Sequence, residues 1–335
     1  MHTTGKLTGI ALLALLSVLV CIVSIGIGSV HVSSSDILNI IFSGTEESGI
    51  AESTKAIIWQ IRLPRVIMAF IVGAVLAVAG ASFQALLRNP LADPFILGVS
   101  GGAAMGGVLA IISGWAYSGS GIHIFAFSGA LITILFVYFI SRVDGQIPKY
   151  KMLLAGVVVN SFLSALIMLA LTMASDNTLA SALFWLMGDL SGSSWERIYG
   201  TIPYVTVGLA ALYMMSREMN LLLLGEEQAK ELGTNTEKVK FLIFISASLV
   251  TGVIVSVSGL IGFVGLIIPH AARLIWGADH RFLFPASLLL GGAFLTLADT
   301  TARTVIAPTE LPVGVITALL GGPVFVYLMK KRLHE

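Results

Sequence analysis

The chain has 335 residues, 56% of them hydrophobic and 11% charged, with a formal net charge of +1 and a mean hydropathy of +0.95. A soluble domain carries roughly 25% charged residues; with fewer than half that share, a water-exposed surface could not be covered, so apolar surface must face lipid. The small net charge excludes a bulk attraction to nucleic acid, and the single cysteine, Cys21, excludes an intramolecular disulfide or a cysteine-based metal cluster.

Residues 7–28 form the first apolar run. At about 22 residues it exceeds the 7–15-residue core of a signal peptide, and it is read as a retained first span. Residues 31–61 make a hydrophilic outer loop with Asp36, Glu46, Glu47 and Glu52. Beyond it, charges punctuate the chain at the interval of about 20 residues that a membrane-crossing helix needs. Residues 66–87, 152–175, 198–216, 282–298 and 311–329 are uncharged between charged flanks. Two longer uncharged stretches split at polar or glycine-bearing breaks, 94–141 at 115–123 and 241–272 at 256–259. The sum is ten predicted transmembrane helices in an all-α, polytopic membrane protein. Continuous apolarity, without alternation, disfavours a β-barrel. The tryptophans fall mostly near span ends, where amphipathic rings anchor.

With the N-terminus inside, Lys55, Arg62, Arg65, Arg197 and Arg303 lie outside, and the other 14 of the 19 Lys and Arg lie inside. Both termini are therefore predicted to be cytoplasmic. The inner loop 217–240 is the other long hydrophilic segment. Within it, Gly225 and Gly233 bound a short amphipathic stretch in which Ala229 and Leu232 are predicted to share one face, and Glu226, Glu227, Lys230 and Glu231 the other.

Several chemistries lack their residues. The sequence has no GxxxxGK[ST] loop to cradle phosphate and no HExxH or paired Cys-x-x-Cys. His270 and His280 lie near one inner loop, but a metal site needs further ligands and a second shell, so none is assigned. The glycine-rich run 98–107 opens a predicted membrane helix and suits close helix packing, since a dinucleotide fingerprint would need a preceding strand. The spans hold almost no charge, whereas proton- or ion-coupled carriers place ionisable groups at midplane. Energy is thus predicted to come from elsewhere. Asn160, with Ser161 and Ser164, is the most polar mid-span cluster; it serves either interhelical hydrogen bonding or the lining of a substrate path.

Four stretches, 62–103, 224–235, 258–281 and 297–331, together resemble the FecCD family of ABC-importer permeases, which serve iron–siderophore, haem and cobalamin import. The resemblance spans nearly the whole chain. It implies a type II ABC importer permease architecture, with residues 1–335 as a single transmembrane domain that binds no cofactor. ATP and Mg would sit on partner ATPase subunits. It implies a second copy of the chain, a periplasmic or lipid-anchored binding protein, and residence in the inner (cytoplasmic) membrane of a prokaryote. By resemblance, the loop containing Gly225, Glu226, Glu227, Ala229, Lys230, Leu232 and Gly233 seats in the ATPase. Arg62, Arg65 and Arg303 match positions that meet acidic residues of the binding protein in cobalamin permeases. Lys149 and Tyr150 match a cytoplasmic gate formed there by small hydroxyl residues, and here the side chains are large. The helices containing Asn160 and 312–327 are the implied walls of the path, with Ser164 on the first. A stand-alone secondary transporter or channel is the alternative class. A membrane-embedded enzyme lacks any nucleophile–base or metal-ligand set.

Overall fold

The computed structural model describes residues 3–28, 32–33, 40, 51–115, 121–143 and 146–332. Asp36, Glu46 and Glu47 of the predicted outer loop lie outside the described residues, as do residues 116–120 of the predicted break. The described elements are helices: α1 (Thr3–Gly26), α2 (Glu52–Leu87), α3 (Val99–Ile112), α4 (Gly121–Ser141), α5 (Lys149–Thr172), α6 (Asp176–Leu186), α7 (Trp195–Met214), α8 (Ser216–Leu224), α9 (Glu226–Glu231), α10 (Thr236–Ser258), α11 (Val264–Trp276), α12 (His280–Ala302) and α13 (Val313–Arg332). Among the described residues no β-strand forms, only an isolated bridge between Val143 and Gln146.

Six helices, α1, α2, α4, α5, α10 and α12, are long and apolar enough to cross a membrane, and the pair α7–α8, bent by 46°, adds a seventh if it is one span. The other predicted spans fall on α3, α11 and the apolar part of α13 (Val313–Tyr327), which are shorter. A helix of 13 residues reaches only about 20 Å along a hydrocarbon core about 30 Å thick.

Two boundaries differ from the sequence expectation. The outer loop ends at residue 51 and not at 61, because helix α2 starts at Glu52 and continues for 36 residues. A wide π-helical turn, Ile57–Arg62, lies just before Pro64; proline has no N–H to donate and crowds the preceding turn. Helix α6 falls in a stretch expected to be loop. Its 11 residues are too few to span, so a count of span lengths passes over it. The inner loop 217–240 is itself largely helical, as α8, α9 and the first turn of α10.

Helix α2 is the centre, with 83% of its most apolar window buried. Lipid supplies no hydrophobic drive between helices, so association depends on small residues that let backbones approach. A Cβ on Gly73 would lie 2.2 Å from the Gly291 carbonyl oxygen of α12, and one on Gly80 would lie 2.0 Å from the Gly265 carbonyl oxygen of α11. The glycine-rich run opening α3 does the same against α4: a Cβ on Gly106 would lie 2.0 Å from the Phe125 carbonyl oxygen. Gln84 on α2 donates to the Gly265 and Leu266 carbonyls and accepts from Arg273 at 2.9 Å, which fixes α11 against α2.

Helix α1 is the least buried of the long helices and is fastened at intervals. Trp276 donates to the Lys6 carbonyl at 3.3 Å, and Ser17 donates to the Leu289 carbonyl at 3.2 Å. Gly80→Leu is expected to destabilise the protein by about 1–3 kcal/mol or to abolish folding, because backbone faces the new side chain. Gly200→Ala, at an exposed helical glycine with open space around it, should leave the thermal midpoint in detergent unchanged or higher.

Candidate functional site

Charged side chains gather towards the two ends of α2, leaving the middle of the helix layer without Asp, Glu, Lys or Arg. The end expected from sequence to face outward holds the three arginines singled out there. Arg62, Arg65 and Arg303 are 4%, 6% and 5% exposed. Their guanidinium groups turn inward, where the docking expectation had them facing a partner. The reason is Asp299 on α12, a buried counter-charge that sequence inspection treated only as a span boundary. Arg65 grips both oxygens of Asp299, with Nε at 3.1 and 3.0 Å and Nη2 at 3.0 Å, and its Nη1 reaches Glu310 at 2.7 Å. Arg303 Nε lies 3.7 Å from Asp299 Oδ2. The i,i+4 spacing of Asp299 and Arg303 was a visible signal; the partnership with Arg65, 234 positions away, was not.

The same arginines end α1. The last carbonyls of a helix have no intrahelical donor and carry partial negative charge. Arg62 Nη1 donates to the Ile25 carbonyl at 3.0 Å and the Gly26 carbonyl at 3.3 Å, and Arg303 Nη2 donates to the Ser24 carbonyl. Gly28 leaves the room this needs, since a Cβ there would lie 2.6 Å from Arg62 Nη2. Three helices, α1, α2 and α12, are thus pinned by one charge cluster.

At the opposite end, the hairpin 88–93 closes α2. Arg88 adopts the left-handed region at φ 49°, and the Asn89 N–H returns to the Gln84 carbonyl at 3.1 Å. Asn89 Oδ1 accepts from the Leu91 N–H at 3.0 Å and Asp93 Oδ1 from the Phe95 N–H at 2.8 Å, before a 3-10 turn at Pro94–Leu97 leads into α3. Burial pushes the Asp93 carboxyl up to about 6, against the Phe95 hydrogen bond. Arg88 also donates to the Leu223 carbonyl at the end of α8, at 3.3 Å.

Helix α9 follows α8 directly. Glu227, Lys230, Leu232 and Gly233 are exposed, Leu232 at 59%, whereas Ala229 is fully buried. The predicted shared face of Ala229 and Leu232 is therefore corrected. The helix stops at Glu231, and Leu232 leaves its register with ψ 14°. Glu226, assigned to the polar outward face, turns inward: its carboxylate lies 3.1 Å from Lys240 and 3.6 Å from Lys149. Burial pushes this carboxyl up, but the hydrogen bond and charge of Lys240, with Lys149 behind them, hold it below the ordinary glutamate value. Lys149 is thus paired with the α9 segment, while its neighbour Tyr150 is 69% exposed. On the other side, Asn220 of α8 donates to Asp279 at 2.7 Å and accepts from the His280 N–H at 2.9 Å, joining α8 to α12. Hydrogen bonds from Arg281 first, and from Asn220, hold the Asp279 carboxyl well below its usual range. Asn220, Asp279, Glu237 and Lys240 were not picked out from sequence; only the i,i+3 Glu237–Lys240 spacing hinted at them.

Between the two ends, α5 shows a largely exposed face. Ser161 and Ser164 bond back to their own helix at Val157 and Asn160, and both are exposed. Asn160 is half-buried against Gly101 of α3, where a Cβ would lie 2.3 Å from its Oδ1. Glycine at 101 is what admits the asparagine.

The described residues form an all-helical layer of apolar, span-length helices with a short polar helical segment at one end, the architecture of a polytopic membrane protein. Residues 15–331 match the FecCD transport family, and the chain belongs to it. It is 46% identical to a cobalamin import system permease, BtuC, of Halobacterium salinarum, over 88% of this chain and 79% of that one. It is 38% identical to a hemin transport system permease, HmuU, of Yersinia pestis, over 84% and 87%. A solved inward-facing conformation described as a metal-chelate type ABC transporter superposes with a TM-score of 0.85 at 32% identity, covering 97% of this chain and 99% of that one.

Asp299→Ala removes the buried counter-charge shared by Arg65 and Arg303, leaving the more exposed Glu310 beside Arg65 as its one remaining partner carboxylate, and is expected to cost about 3–5 kcal/mol. Glu310→Gln, at a side chain 41% exposed, should cost no more than about 1 kcal/mol; denaturation of both variants in detergent separates them. Because the Asp93 carboxyl is raised, the folded state binds its proton more tightly than the unfolded chain does. That contribution is present below about pH 4 and is lost as pH rises through about 6. Asp93→Asn keeps the acceptor for Phe95, so it should stabilise the protein at pH 7 by about 1–3 kcal/mol and have little effect at pH 4.

Proposed function

We propose that this chain is the membrane-spanning permease subunit of a binding-protein-dependent ABC importer, and that it carries a metal chelate into the cytoplasm. Family membership across residues 15–331 carries this assignment. Ferric siderophore, haem and cobalamin are the candidate cargoes; the relatives named for cobalamin and haem support the chelate class. The chain would form one transmembrane domain with ten crossings and both termini in the cytoplasm. Its shorter helices α3, α11 and α13 would complete their crossings with the irregular segments that precede them, as broken helices do where they line a cavity. It would pair with a second copy and sit in the cytoplasmic membrane of a prokaryotic cell.

ATP and Mg would be bound by two ATPase subunits, and this chain would hold no cofactor. The segment Gly225–Gly233 would seat in each ATPase, with exposed Glu227, Lys230 and Leu232 as its contacts. Closure of the ATPases would move α9 and rock the helices between inward- and outward-open states. The path would run along the exposed face of α5, past Asn160 and Ser164, and along α13, with Lys149 and Tyr150 at its cytoplasmic end. Arg62, Arg65 and Arg303 would serve binding-protein docking by holding the outer ends of α1, α2 and α12 in register. Glu310, the exposed member of their cluster, would face the partner.

Uptake of labelled cobalamin, haem and a ferric siderophore into proteoliposomes should need both the ATPase and ATP, with one ligand far ahead of the other two. Uptake by the chain alone would overturn the assignment in favour of a secondary transporter. Leu232→Asp places a charge in the contact and should weaken ATPase copurification about tenfold or more, with the thermal midpoint of the isolated chain unchanged.

A further inference from the structure

We infer that Lys240 is the joint that transmits movement of α9 to the start of α5, through Glu226 on one side and the Ile147 backbone on the other. This rests on the proposal that α9 seats in an ATPase.

The Lys240 residue is 3% exposed, inside the first turns of α10. Its ammonium has three acceptors from three parts of the chain: Glu226 of α9 at 3.1 Å, Glu237 of α10 at 2.5 Å and the Ile147 carbonyl at 3.1 Å. Glu237 returns through its other oxygen to accept the Ile147 N–H at 2.8 Å. Both backbone polar groups of Ile147 are therefore held by α10. Pro148, whose ring fixes φ near −65°, follows directly, and α5 begins at Lys149. Lys149 closes the circuit, 3.6 Å from the second oxygen of Glu226.

A buried ammonium cannot be left without partners, because breaking one side of such a pair strands a charge. Hydrogen bonds at these distances fail within a few tenths of an ångström. When α9 moves, Glu226 must therefore carry Lys240 and Lys149 with it or release them, and either event reaches Ile147. The element that follows is also lightly packed within this chain: 28% of the most apolar stretch of α5 is buried, against 83% for α2. Lys149 would thus act in the coupling of α5 and not as a plug in a gate.

The test is hydrogen exchange by mass spectrometry on the assembled permease–ATPase complex in detergent, with and without ATP and Mg, in the parent, Lys240→Met and Glu226→Gln. Glu226 is half-exposed, so its variant keeps a folded complex if the Lys240 variant does not. In the parent, exchange in residues 225–233 and in 147–156 should both respond to nucleotide. In the variants, the response of 225–233 should persist and that of 147–156 should be lost. A purely structural pin would raise exchange at 147–156 equally with and without nucleotide, leaving the nucleotide response in place, and that result overturns the relay alone. A parent in which 225–233 does not respond to nucleotide overturns the coupling role of α9 and the relay with it.

Discussion

Backbone-to-backbone contact along α2 is the interaction on which the remaining structure depends. Within lipid, apolar side chains gain nothing by leaving one apolar neighbour for another, so helices associate where small residues permit dense van der Waals contact. Gly73 and Gly80 give α2 two such contacts, with Gly291 of α12 and Gly265 of α11. The side chain of Gln84 then satisfies carbonyls at the broken start of α11 that water cannot reach. With α2 fixed in this way, its two ends are fixed as well, and both hold the charged groups.

Charge is costly at the centre of a bilayer and tolerable at its edges when paired. The protein uses it there in two different manners. The outer cluster of Arg65, Asp299, Arg303 and Arg62 binds three helices and terminates α1, and it is nearly sealed from solvent. The inner network of Glu226, Lys240, Glu237 and Lys149 is part exposed and joins a small surface helix to the root of α5. A sealed cluster with a bidentate core resists change. A half-open network built on the end of a short projecting helix is suited to being moved. Under the coupling role proposed for α9, a subunit driven from one face would use both behaviours, one at each end.

Much of this was legible from residue order. The ~20-residue spacing of charges located the long helices, because the thickness of the hydrocarbon core imposes that length on any chain. The four FecCD-like stretches identified the family, and the segment Gly225–Gly233 stood out as a polar run between apolar spans, either solvated or facing a partner. Helix α6 did not announce itself, since 11 residues satisfy no membrane period. The inward turn of Glu226 and the separation of Ala229 from Leu232 were equally hidden. They depend on where α9 ends and on a lysine fourteen residues away.

Residue order was enough to place this protein in a membrane, to show that it is helical and to assign its family. Those follow from composition and short-range pattern, which a lipid environment constrains strongly. The pairing of its charges emerges with the packed helices. Arg65 meets Asp299 across 234 positions, and Lys240 meets Ile147 across 93. No periodicity encodes such pairs, because they exist only once the helices between them have packed.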